Sequence, residues 1–83
     1  VSPTIVVVED DPVISNLLVV TLELEGWRVL QAADAYQALD LVKAEHPDLV
    51  LSDVMMPGRS GLELCDDIDV TPETHGTPVV LLS

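Results

Sequence analysis

At 83 residues the chain is one domain at most, and its charge is one-sided: fifteen Asp and Glu against three Lys and Arg, a net −12. That balance leaves no basic patch for nucleic acid and favours solubility, divalent cations and basic partners. No apolar run is long enough to span a bilayer and no signal peptide is visible, so no membrane role is expected. Cys65 is the only cysteine, which excludes an internal disulfide and fits a reducing cytoplasm; within an apolar helical stretch it reads as a buried, inert thiol.

The elements alternate along the chain. Thr4-Ile5-Val6-Val7-Val8 is a short β-branched run that reads as a buried strand. Asp11-Pro12 then starts a helix, with Asp as N-cap and Pro in the first turn, and Gly26 stops it. Val13, Val19, Val20 and Leu24 make this helix apolar well beyond one stripe, so it is expected to be deeply buried or to meet a partner. Trp27 to Gln31 reads as a second strand. Asp34 caps a second helix whose Ala35, Ala38, Leu39 and Val42 share one face, and His46-Pro47 ends it. Leu49 to Ser52 is a third strand. Pro57 to Gly61 is a loop, Leu62 to Ile68 a short third helix closed by Thr71-Pro72, and Val79 to Leu82 a fourth strand. Strand–helix alternation of this kind implies βαβ units and a doubly wound parallel sheet with helices on both faces.

Acidic residues follow two of these strands. Glu9, Asp10 and Asp11 come after the first, Asp53 after the third, and Ser83 follows the fourth. Ligands of an open parallel sheet bind outside the carboxyl ends of its strands, at the point where strand order reverses. In a flavodoxin-like order that point lies between the first and third strands, which brings Glu9, Asp10 and Asp53 into one crevice. Asp11 is adequately explained as a helix cap. Three crowded carboxylates repel one another and suit a hard cation such as Mg²⁺, which takes oxygen ligands and keeps several waters. A carboxylate beside such a site can itself be a nucleophile toward a phosphoryl group.

The ordered set Ile5-Val6-Val7-Val8-Glu9-Asp10-Asp11-Pro12, Leu49-Val50-Leu51-Ser52-Asp53-Val54-Met55-Met56-Pro57, Gly61 and Pro78-Val79-Val80-Leu81-Leu82-Ser83 resembles the receiver domains of two-component response regulators. The resemblance covers essentially the whole chain and implies a flavodoxin-like α/β fold with strand order 2-1-3-4. It implies that Asp53 is the phosphoacceptor, that Asp10 ligates Mg²⁺ (or Mn²⁺) directly, and that Glu9 acts on it through water. It also implies that Met55 supplies a backbone carbonyl to the metal, that Pro57 and Gly61 shape the loop, and that the Ser83 hydroxyl senses the phosphoryl group. A sensor histidine kinase or phosphotransfer protein would be the donor, and an output domain or effector the recipient of the signal. The protein would then be a signalling switch in the cytoplasm rather than an enzyme.

Relatives continue through a fourth helix, a fifth strand ending in a lysine, and a fifth helix. None of these follows Ser83, and neither Lys43 nor Arg59 matches the lysine, so residues 1–83 read as the N-terminal portion of a receiver. An apolar fourth strand at the sheet edge leads us to expect self-association of this form, or a longer polypeptide of which it is the ordered part. Asp66, Asp67 and Asp69 oppose the dipole of the third helix, and the sequence offers no account of them beyond surface charge or a partner. His46 and His75 read as loop or helix-end residues, and Met55 and Met56 as packing residues. Two other readings compete. A receiver-like interaction module would not signal by phosphate. A Toprim-like metal-dependent enzyme would need an Asp-x-Asp pair that Asp53-Val54-Met55 lacks, and a haloacid-dehalogenase-type phosphatase carries its Asp-x-Asp after the first strand and continues differently.

Overall fold

The computed structural model describes residues 2–82. Ser83 lies outside the described residues. The order is β1 (Thr4–Val8), α1 (Pro12–Leu24), β2 (Arg28–Ala32), α2 (Ala35–Glu45), β3 (Leu49–Asp53), α3 (Gly61–Val70) and β4 (Val79–Leu82). The four strands form one parallel sheet in the order β2-β1-β3-β4, as the alternation of elements and the family resemblance implied.

β1 is central, and four of its five residues are buried. Val6 and Val8 point to the face covered by α2 and α3, where they join Ala32, Ala35, Ala38, Val42, Val50, Leu64 and Ile68 in the main core. Ile5 and Val7 are buried on the other face, beneath α1. Two-sided burial is why β1 reads as a continuous apolar run and not as an alternating one.

Each helix boundary has a local cause. The Asp11 side chain accepts from the amides of Val13 and Ile14. At the far end of α1 the Gly26 amide donates to Glu23 O and the Trp27 amide to Leu22 O. That pair of bonds is a Schellman closure, and it needs the left-handed φ of 96° that Gly26 supplies. Asp34 caps α2 by accepting from the Gln37 amide, while the Gln37 side chain accepts from the Ala33 amide. In α3, Ser60 and Glu63 form a reciprocal capping box. Buried Thr74 donates to Ile68 O at 2.8 Å and fixes the turn into β4.

α1 is not deeply buried: Ser15 is its one buried residue, and Val13, Leu17, Val20 and Leu24 are exposed, which leaves the other expectation for this helix, a partner on its outer face. β4 is half-buried or exposed along its length, as expected of a strand at the sheet edge, because among the described residues β3 is its only strand neighbour. The expectation that Met55 packs is corrected: its side chain is 82% exposed, whereas Met56 lies against the core. Boundaries moved by one or two residues: β2 starts at Arg28, and α3 runs from Gly61 to Val70. Cys65 is half-buried and not fully enclosed, and Tyr36 is exposed.

Candidate metal and phosphoacceptor site

Strand register brings the acidic residues together. Val8 of β1 is paired with Ser52 of β3. The next residues along the two strands are therefore Glu9 and Asp53, side by side at the carboxyl end of the sheet. Asp10 follows as the chain leaves β1 for the Asp11 cap. One carboxylate oxygen from each of Glu9, Asp10 and Asp53 lies within 4.8 Å of the others.

The three differ in environment. Glu9 is buried, Asp53 is half-buried and Asp10 is exposed. The Glu9 amide donates to Ala32 O at 3.1 Å, which carries the β1–β2 hydrogen bonding one residue past the strand and holds Glu9 inward. Its Oε2 is buried and has no hydrogen-bond partner. A buried carboxylate oxygen without a partner is costly, because desolvation is not offset. A hard cation or its water shell would supply such a partner, and an all-oxygen set on a rim open to solvent is what Mg²⁺ prefers. The residues present thus fit the metal.

The Asp53 backbone is also held. Ser52, fully buried, donates its hydroxyl to Asp53 O at 2.9 Å. The Val54 amide donates to Leu82 O, and the Gly61 amide returns to Val54 O at 2.9 Å, closing the β3–α3 loop at its base. Asp53, Val54, Met55 and Leu82 line an open pocket of about 450 Å³. On the other side of Glu9 a second cleft of about 290 Å³ opens between α1 and α2. There the Gln31 side-chain Nε2 donates to Ser15 Oγ at 2.8 Å and ties β2 to α1.

Sequence reasoning assembled Glu9, Asp10 and Asp53 correctly as neighbours, and Met55 lies in the wall of the Asp53 pocket. It missed the work of Arg59. That guanidinium binds both oxygens of Asp67 and one of Glu63, which accounts for two of the acids along α3. The pairing holds the Asp67 carboxyl below its ordinary value, chiefly through the hydrogen bond from Arg59. Asp69 lies 3.7 Å from His75 Nδ1. Nothing in the structure explains Asp66. The i,i+4 spacing of Arg59 and Glu63 was a signal in the sequence, whereas the Asp67 contact, eight residues away, left none.

The fold and site define a doubly wound α/β domain with an acidic cluster at the point where strand order reverses. A family model described as the response regulator receiver domain matches residues 5–83, and the chain belongs to that family. Receiver domains typically bind Mg²⁺ at an acidic pocket, and here Glu9, Asp10 and Asp53 form an acidic group at the carboxyl end of the sheet. The N-terminal domain of a response regulator receiver protein from Methanoculleus marisnigri JR1 superposes with a TM-score of 0.92 at 39% identity, over 96% of this chain and 65% of that one. The receiver domain of a signal transduction histidine kinase from Syntrophus aciditrophicus gives 0.92 at 32% identity, over 99% and 62%. The chemotaxis response regulator CheY4 of Vibrio cholerae gives 0.91 at 27% identity, over 98% and 68%. The chain spans about two thirds of the length of these structures. Among the described residues, no helix is long and apolar enough to cross a membrane.

Proposed function

We propose that the chain is a phosphoacceptor in two-component signalling, with Asp53 receiving the phosphoryl group. The observation that carries this reading is the convergence of Glu9, Asp10 and Asp53 within 4.8 Å, with Glu9 Oε2 buried and unpartnered. An Asp53 carboxylate oxygen attacks the phosphorus of a phosphohistidine on a sensor kinase or phosphotransfer protein. The P–N bond breaks, the imidazole takes a proton as it leaves, and an acyl phosphate forms. Asp10 and Asp53, with the Met55 carbonyl, would hold Mg²⁺ (or Mn²⁺), and Glu9 would reach it through water. Bound there, the metal offsets the negative charge that gathers as a phosphoryl group meets a carboxylate.

Within this reading the chain's own residues position and do not turn over substrate. Ser52 and Gly61 fix the Asp53 backbone, so the nucleophile is presented without reorganisation. The Ser83 hydroxyl gains a strong acceptor when Asp53 is phosphorylated and biases the β4 end toward the active arrangement. An output domain or effector reads that change, in the cytoplasm. The fourth strand at the sheet edge, with Val80 and Leu82 exposed, offers the surface through which a polypeptide confined to residues 1–83 self-associates, and Val13, Leu17, Val20 and Leu24 of α1 form a further exposed apolar face.

The test is incorporation of label from a small phosphodonor into the full polypeptide with Mg²⁺. Hydroxylamine should release the label, and Asp53→Ala should prevent it. Label that survives Asp53→Ala would assign the phosphoryl group elsewhere. Ser83→Ala should leave incorporation largely intact and weaken the conformational response; equal loss of both would remove the sensing role.

A further inference from the structure

The β3–α3 loop forms one wall of the Asp53 pocket, and a single side chain fastens its outer end. Val54 and Met55 line the pocket beside Asp53. The base of the loop is closed by the Gly61 amide on Val54 O. Between base and tip, Met56 packs against the core while the Met55 side chain is 82% exposed. Beyond Met56, Arg59 supplies the restraint at the outer end. Its Nη2 donates to Asp67 Oδ1 at 2.7 Å, its Nε to Asp67 Oδ2, and its Nη1 to Glu63 Oε2 at 3.1 Å. Glu63 also accepts from the Ser60 amide, so the residue after Arg59 is bound to the same turn of α3.

A planar guanidinium bound on two edges fixes direction as well as distance, which a point charge cannot do. Although Arg59 belongs to the loop that walls the Asp53 pocket, the three of its five N–H donors that are engaged all bind α3. We infer that Arg59 is a positioning residue for the Asp53 pocket: by clamping the loop to α3 it sets the backbone of Val54 and Met55, and with it the affinity of the pocket for a divalent cation. This rests on the metal reading of the site proposed above. Without the clamp, binding must also order the loop, and that cost lowers affinity.

The experiment is Mn²⁺ titration and amide hydrogen exchange on the full polypeptide, for the wild type, Arg59→Gln, Asp67→Asn, the double variant and Arg59→Lys. Arg59→Gln should speed exchange at 54–60 about fivefold, the scale of a well-formed exposed ion pair, and leave β1 and β3 amides unchanged. Mn²⁺ affinity should fall about threefold, because ordering the loop now opposes binding. Asp67→Asn should reproduce both effects, the double variant should be no worse than either single one, and Arg59→Lys should restore little. Wild-type Mn²⁺ binding at Asp53 that Arg59→Gln leaves unchanged overturns this inference alone. So does faster exchange spread evenly over β1 and β3, which would make Arg59 a general stabiliser. A wild type that binds no Mn²⁺ at Asp53 overturns the metal reading itself.

Discussion

Gly61 stands directly against the carbonyl of Asp53: a Cβ on Gly61 would lie 2.1 Å from the Asp53 oxygen and 3.0 Å from its carbon. Both atoms are backbone and cannot rotate away. Gly61→Ala must therefore displace the end of β3 or the start of α3, at a cost of about 1–3 kcal/mol. Gly76 is the control, since a Cβ there meets nothing within 4 Å. Gly76→Ala should be neutral or stabilising by up to about 1 kcal/mol. Denaturant midpoints of the two variants measure the difference, and equal values would show that the Asp53 contact relaxes freely.

Core and surface positions of α3 should separate cleanly. Leu64 is fully buried among Val50, Val8 and the α2 face, whereas Leu62, two residues earlier, is exposed. Leu64→Ala is expected to cost about 3 kcal/mol through lost burial and a residual cavity. Leu62→Ala should stay within about 0.5 kcal/mol. Urea unfolding of both variants tests the assignment of faces.

Acid should weaken the Arg59–Asp67 pair. The folded Asp67 carboxyl is held below its ordinary 3.8 by the hydrogen bond from Arg59, with burial opposing the shift. A depressed folded value means stability that is complete above the unfolded value and lost as pH falls through the folded one. Asp67→Asn should thus be less stable than the wild type at neutral pH, and the gap should narrow below pH 3.8. The pair is partly solvated, so the effect is modest. A gap constant from pH 7 to acid would show that the carboxylate charge contributes nothing.

Metal should stabilise the fold through the same three carboxylates. With Mg²⁺ in excess of its dissociation constant, the melting temperature of the wild type should rise, since a ligand of the native state alone shifts the equilibrium. Asp10→Asn should abolish most of that rise. In chelator, the same variant should match or exceed wild-type stability, because one of three repelling charges is gone. Metal-free destabilisation by Asp10→Asn would mean that the Asp10 charge is satisfied within the protein.

The exposed side of α1 gives a test of self-association. Sedimentation of a polypeptide confined to residues 1–83 should show a concentration-dependent mass. Leu17→Lys with Leu24→Lys should lower it, as both side chains are exposed and contribute little to the fold. A monomer at every concentration would show that this surface needs no cover.

What the sequence made legible was whatever depends on local pattern. The β1 and β3 runs, the Asp11 and Asp34 caps and the Gly26 stop are each encoded within a few residues, and all appear. The approach of Glu9 to Asp53 was legible because parallel register follows from the order of the strands. The orientation of the outer face of α1 was not, since its apolar residues say what they avoid and not what covers them. Arg59 was read only as failing to match a lysine. Its partner Asp67 is eight residues away, and the contact exists only once the loop folds back on α3.

Two of the three cationic side chains are occupied internally, Arg28 by Glu45 and Arg59 by Asp67 and Glu63. Lys43 makes no ion pair among the described residues, and against a net charge of −12 it is one positive point on a strongly acidic stretch of chain. Beyond the screening length of about 8 Å at physiological salt the field of that charge fades, and within it a positively charged face is drawn in and turned before contact. Encounter with such a face would be quick in dilute buffer and slow steeply as salt is added, while the lifetime of the complex, governed by short-range packing, would change much less.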